Sequence, residues 1–190
     1  MAGALPTADA RWDDLVDRLA VYDVSYLTGG SVWDSRTPPY HTPGDVSIVA
    51  LVTDLAQAPQ GRLRNALVAL LFRHPELVRS AYAAADQLAH DERARLLIRA
   101  SILAAAALRT LWRFVLDIYL PDQPEINAEH IARALGVPSP REEYGRACLS
   151  ALADVLREGQ PFPFAYEREW HDVAGHVLES LRAEARARPA

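Results

Sequence analysis

Histidine and aspartate side chains are adjacent at two places in this chain, and together these residue types can hold a divalent metal ion. The pairs are His90-Asp91 and His171-Asp172, and His74 lies upstream of both. In the last predicted helix, four potential ligands share one helical face, namely Glu169, Asp172, His176 and Glu179. Such a face resembles a cluster of ligands for a metal ion, and a bound metal ion can assist hydrolysis.

These few residues resemble the metal-binding signature of the HD superfamily of all-helical phosphohydrolases. That resemblance implies a divergent metal phosphohydrolase, which we keep as one alternative. We favour a structural interpretation, because His74 adjoins Pro75 at a helix junction and Asp91 is placed to cap a helix. The four-residue face lies opposite an apolar stripe and should face water. We therefore expect no catalytic residue, no metal and no cofactor.

Arginine supplies all 20 basic residues of the chain, as is typical of a GC-rich bacterial genome. Residues 62–113 carry nine arginines and four acidic residues, a local net charge of +5, and the segments on either side each carry −5. Four arginines share one edge of a predicted helix (Arg95, Arg99, Arg109 and Arg113), which we call the arginine edge. Guanidinium groups bind carboxylates and phosphates, so this edge is a candidate site for a protein partner or an anion. The alternative is a solvated edge with local pairs such as Arg113 with Asp117.

Helical spacing of apolar residues runs through almost the whole sequence, and no alternation is long enough to build a sheet. The sequence therefore predicts an all-α protein, a single bundle of about eight helices with partly HEAT-like pairing around one long central helix. The one domain, 1–190, divides into an N-terminal helix and loop (1–44), a helical core (45–120) and C-terminal helices (121–190). Asp45 is the predicted cap of the second helix, and Ser139 to Glu142 form a predicted capping box for a helix that ends near Arg157.

The predicted central helix begins after Asp91 and ends at Pro121, a length of roughly thirty residues. Its apolar residues cover most of the helical circumference, which is typical of a helix enclosed by others. We expect it to be unbroken between Leu96 and Leu120, with Phe114 and Ile118 among the buried residues. The arginine edge should emerge from it along a single seam.

Glycine and proline interrupt the helical pattern between Thr28 and Gly44. This loop also contains Trp33, Tyr40 and His41, and we consider these residues a candidate interaction loop. Tyr26 to Ser31 resembles the glycine turn of minimal nucleotidyltransferases. That family needs two alternating carboxylates on a following strand, whereas the corresponding place here offers only Asp45, so nucleotidyl transfer is not expected.

The segment from Ala128 to Val137 resembles the first helix and turn of a helix-turn-helix. The second helix departs from the pattern, because Glu142 and Gly145 fall where buried residues are required. A DNA-binding regulator that uses residues 127–150 is the other alternative.

A single cysteine, Cys148, sits in a helical apolar pattern, which indicates a core residue and suits a reducing compartment. The N-terminus lacks the pattern of a signal peptide, and arginines interrupt the most apolar stretch. We therefore expect a cytoplasmic protein without a membrane span.

Several stretches are similar to a family of bacterial all-helical proteins without a characterised activity, which is loosely associated with minimal nucleotidyltransferases. The similarity covers about residues 45–155 and is carried by 67–77, 111–120, 135–138 and 143–145. It implies no activity or functional residue. Together these observations favour a non-enzymatic interaction protein, an adaptor or antitoxin-like regulator that binds a protein partner.

Overall fold

The computed structural model describes residues 8–24, 27, 47–158 and 165–187 of the chain, and within these ranges all regular elements are helical. The predicted all-α class and the predicted number of about eight helices are therefore confirmed. The α-helices are α1 (Ala8–Ala20), α2 (Ile48–Gln57), α3 (Gly61–Arg73), α4 (Val78–Gln87), α5 (Glu92–Leu111), α6 (Arg113–Tyr119), α7 (Glu129–Leu135), α8 (Arg146–Arg157) and α9 (Tyr166–Ala187), and 3-10 turns span Pro75–Leu77 and Glu142–Gly145.

Short polar and glycine signals mark several of the helix ends that the sequence predicts. Asp91 caps α5 by accepting a hydrogen bond from the backbone of Ala94 at 2.9 Å, and this bond lowers the pKa of the Asp91 carboxyl. Gly136 ends α7 with a φ of 67°, a left-handed conformation that glycine adopts without strain. The cap of α2 is Ser47, whose hydroxyl accepts from Ala50 at 3.4 Å. Asp45, the predicted cap, lies outside the described residues.

Helix α5 is the centre of the bundle. It packs against α2, α3, α4, α7, α8 and α9, and every residue from 100 to 108 is buried. Its run of four alanines, Ala104 to Ala107, keeps its surface narrow, so neighbouring backbone can approach closely. A Cβ atom on Gly145 would overlap the carbonyl oxygen of Ala107 and lie 2.8 Å from its carbonyl carbon. The prediction of a central helix is confirmed, although the helix is shorter than expected.

The expectation of an unbroken helix from Leu96 to Leu120 is wrong. Trp112 leaves the helical conformation with φ −102° and ψ 14°, and α6 begins at the next residue. Helix α6 contacts α9, and Leu116 is buried. The opposite side of α6 faces solvent. Phe114 and Ile118 are consequently exposed, so their predicted burial is also wrong.

The predicted helix from Ser139 to Arg157 begins later than its capping signal. Glu142 accepts from the backbone of Ser139 at 3.4 Å, and the Ser139 hydroxyl accepts from Arg141 at 3.1 Å, so a cap-like turn does form. The three residues after Glu142 then take positive φ angles, and α8 starts only at Arg146. The capping box therefore begins a 3-10 turn.

No helix in the described ranges combines the length and the apolar character that crossing a bilayer requires. The partly HEAT-like pairing of the helices stays a prediction.

Candidate protein-docking surface

Three large apolar side chains are exposed in the described part of the chain, and they belong to one region. Phe114 and Ile118 on α6 are 79% and 73% exposed, and Tyr144 in the second 3-10 turn is 69% exposed. Phe114 and Tyr144 line the same groove, and Ile118 lies about one helical turn beyond Phe114. We call these three residues the α6 patch. Clustered exposed apolar side chains mark interaction sites in soluble proteins.

Sequence reasoning missed this patch. The apolar pattern continues from α5 into α6 without a proline or glycine that would indicate the break at Trp112. The pair Arg113 and Asp117 was the one local signal, because two charges four residues apart indicate a solvent-facing side. Tyr144 carried no such signal.

The groove beside the α6 patch has a volume of ≈ 460 Å³ and lies between α6, the α6–α7 connection and the turn that precedes α8. Arg141 and Glu125 form an ion pair of 2.8 Å between two of its walls. The Ser139 hydroxyl donates to Glu129, a lining residue at the start of α7, at 2.7 Å. The Oε1 atom of Gln123, a lining residue, is buried without a hydrogen-bond partner among the described residues. The ion pair between Arg141 and Glu125 therefore ties two walls of the groove together.

Opposite charges balance around this groove. Three arginines and three acidic residues line it, namely Arg109, Arg113, Arg141, Asp117, Glu125 and Glu129. Nucleic-acid binding relies on an excess of positive charge against phosphates, which this lining does not offer. A mixed polar rim around aromatic and aliphatic side chains is instead typical of protein interfaces.

The backbone at Tyr144 is strained in a way that exposes its side chain. Glu143 and Tyr144 have φ angles of 47° and 56°, and Gly145 follows with 85°. Left-handed conformations cost a residue with a side chain roughly 1–2 kcal/mol. Such strain persists where surrounding structure enforces it and is concentrated at functional sites. Here the buried Gly145 fixes the turn against α5, and Tyr144 projects into solvent beside the groove.

The arginine edge is not the single seam that the sequence predicted. Ile102 and Ala106 would lie on that seam between Arg99 and Arg109, and both are buried. The edge is therefore divided into two ends, roughly 15 Å apart along α5 at 1.5 Å per residue. At the first end, burial raises the pKa of the Tyr82 hydroxyl, and the positive charge of Arg99 acts in the opposite direction. The centroid of the Tyr82 ring lies 5.5 Å from that of the His130 ring.

At the second end, Arg109 and Arg113 have different surroundings. Arg109 is half-buried and donates to the backbone oxygen of Phe72 at 2.6 Å. Burial lowers the pKa of its guanidinium, against the opposing effect of Glu76 and Asp117. Arg113 is exposed and forms a long pair with Asp117 at 3.9 Å. Arg109 thus links α5 to the end of α3, whereas Arg113 is available at the surface.

This difference gives a prediction. We expect Arg109→Gln to lower the free energy of unfolding by about 2 kcal/mol, because it removes a charge-assisted hydrogen bond to a buried carbonyl. Arg113→Gln, the matched control, should change it by less than about 0.5 kcal/mol, as is usual for exposed sites. Urea unfolding followed by circular dichroism measures both values. Equal losses in the two variants would show that the Phe72 bond is not a structural link.

The candidate metal ligands are not brought together. His74 contacts Glu76 at 3.0 Å and the backbone oxygen of Tyr22 at 2.9 Å, and Asp91 acts as a cap. The face on α9 is largely exposed, and its residues form helical ion pairs such as His176 with Glu179 at 3.9 Å. Among residues 8–24, 27, 47–158 and 165–187, no group of three or more histidine, cysteine, aspartate or glutamate side chains could hold a metal ion.

The geometry between α7 and α8 gives no support to a helix-turn-helix. Residues 136–145 separate the two helices, whereas that motif uses a turn of about three or four residues. Leu149, Leu152 and Leu156 of α8 are buried, so much of this helix belongs to the core. Cys148 is also buried, and burial raises the pKa of its thiol to about 12, which keeps it protonated and unreactive at neutral pH.

The predicted interaction loop lies outside the described residues, including Trp33, Tyr40 and His41. The glycine turn from Tyr26 to Ser31 also falls there except for Leu27. In comparisons with protein-family models, curated proteins and solved structures, no match to this chain was found.

Proposed function

We propose that this chain is a non-enzymatic interaction protein of the cytoplasm, an adaptor or antitoxin-like regulator, which binds protein through the α6 patch and its groove. The observation that supports this proposal is the exposure of three large apolar side chains in the described part of the bundle, of which Phe114 and Tyr144 line one groove and Ile118 lies on the same helix as Phe114. Aromatic and aliphatic anchors surrounded by paired charges are the usual centre of a protein interface.

The alternatives draw less support from the geometry. A DNA-binding regulator would need a basic surface at 127–150, whereas the groove there carries balanced charge. A metal phosphohydrolase would need its histidines and aspartates to converge on one site. His74, Asp91 and His176 instead make separate structural contacts. Binding of a minimal nucleotidyltransferase is the partner hypothesis that the resemblance of residues 45–155 provides.

Site-specific crosslinking tests the proposal. A photoreactive amino acid at Ile118 should crosslink to a protein in cells that express the chain at its native level, and mass spectrometry identifies that protein. Binding is then measured with both proteins purified. The double variant Phe114→Ser, Ile118→Ser should weaken binding by at least about 30-fold, because exposed apolar anchors of this size often contribute about 2 kcal/mol or more.

The control variant introduces two serines at exposed helical positions outside the α6 patch. Ala83→Ser and Ala185→Ser also place hydroxyls at exposed helical positions, on α4 and α9, and should leave the affinity unchanged. Both double variants should unfold at the same urea concentration as the natural chain, since all four positions are exposed. Unchanged affinity in the α6 variant would refute the proposal for this surface.

A further inference from the structure

We propose that a second copy of this chain occupies the α6 patch and forms a two-fold symmetric dimer through antiparallel pairing of the two α6 helices. This inference rests on the proposed function, because it takes the patch to be a protein-docking surface and names the protein. Its support is the self-complementary order of four exposed residues on α6. They are Arg113, Phe114, Asp117 and Ile118.

These four residues form two adjacent columns on the helix. Phe114 and Ile118 are four residues apart and make an apolar column, and Arg113 and Asp117 make a charged column beside it. When two such helices pack antiparallel about a two-fold axis, each column meets the same column of the partner with its order reversed. Phe114 then faces the second copy's isoleucine, and Arg113 faces the second copy's aspartate. The residues of α6 are thus complementary to the same residues of a second copy.

Within a single chain, the charged pair is poorly made. The Arg113 Nε and Asp117 Oδ2 atoms are 3.9 Å apart, and the two side chains are 69% and 67% exposed. The order with the cation first is the less favourable one for a pair four residues apart on a helix. An exposed pair of this kind contributes little to the stability of the chain that carries it. Both groups are therefore free to pair across an interface.

The surface area fits a dimer of moderate affinity. Each of the three side chains of the α6 patch offers roughly 100–200 Å² of accessible surface, so the patch exposes about 400 Å² per chain. With the polar rim of the groove, two chains would bury roughly 1,000–1,200 Å² in total, the size of a weak or transient interface. Tyr144, held outward by its strained turn, lies beside the groove and can contact the second copy at the edge of the helix pair.

Sedimentation velocity of the full chain is the first measurement. We expect a concentration-dependent shift from monomer to dimer between about 1 and 100 μM, the range that a small interface predicts. Phe114→Ser, Ile118→Ser should keep the chain monomeric throughout this range. A natural chain that stays monomeric at several hundred micromolar overturns the inference.

Charge reversal tests the antiparallel register. Arg113→Asp alone would place two aspartates opposite two aspartates, and Asp117→Arg alone would place two arginines opposite two arginines. Each single variant should weaken dimerisation by at least about tenfold, because like charges then meet at two places. An equimolar mixture of the two variants should form a heterodimer of near-natural affinity, since each arginine again meets an aspartate.

The outcomes separate this inference from the proposed function. If neither charge reversal changes the affinity of the dimer, the two chains associate through another surface and the inference is wrong. A photocrosslink from position 118 to a different protein, with a monomeric natural chain, overturns the dimer but supports the proposed function. Recovery of dimerisation in the mixture, with neither variant dimeric alone, supports both.

Discussion

Gly145→Ala is expected to destabilise the folded chain by roughly 2–5 kcal/mol, so that it unfolds at a lower urea concentration than the natural chain. The backbone at this position has a left-handed conformation with φ 85°, which costs an alanine about 1–2 kcal/mol. The new methyl group would also overlap the backbone carbonyl of Ala107, and backbone inside the enclosed part of α5 cannot move aside cheaply. Overpacking of a dense core costs about 1–3 kcal/mol more. Urea denaturation followed by circular dichroism measures the sum.

Two other glycines separate these causes. Gly136 has φ 67° but open space around a new Cβ, so Gly136→Ala should show the conformational cost alone, about 1 kcal/mol. Gly175 lies inside α9 with open space and no positive φ, so Gly175→Ala should stabilise the chain by about 0.5–1 kcal/mol. If Gly145→Ala costs no more than Gly136→Ala, the close approach to α5 does not constrain the turn that carries Tyr144.

Phe72→Ala is the second large effect, with an expected loss of roughly 3–5 kcal/mol. Phe72 is fully buried on α3, and the truncation leaves a cavity in addition to the lost burial of its ring. Thermal or urea unfolding of the purified variant measures the loss. The same substitution at Phe114, which is 79% exposed, should cost less than about 0.5 kcal/mol.

This matched pair also bears on function. Phe114→Ala should retain the fold while it weakens protein binding at the α6 patch, whereas Phe72→Ala should weaken binding only through the population of unfolded chain. A large loss of stability from Phe114→Ala would mean that its ring is part of the core, and the α6 patch would then lose its main anchor.

Local sequence determined the class of the fold and several of its helix ends. Helical spacing of apolar residues predicted an all-α bundle, and the nearly all-round apolar character of residues 96–120 predicted a central helix, of which the structure encloses the part up to Leu108. Asp91, Pro75 and Gly136 act within one or two turns of their own position, so their effects were readable without knowledge of the fold. The burial of Cys148 and the exposure of the polar face of α9 followed from the same periodicity.

The tertiary structure alone decided what each surface is available for. Apolar spacing continues from α5 into α6, and only the packing of α6 on α9 determines that Leu116 is buried while Phe114 and Ile118 face water. The arginine edge looked continuous because its residues share a helical angle, yet neighbouring elements cover Ile102 and Ala106 between its two ends. Periodicity states which side chains share a face, but the elements that cover the face come from distant parts of the chain. For that reason the α-helices were predictable from the sequence, and the surface on which the proposed function depends was not.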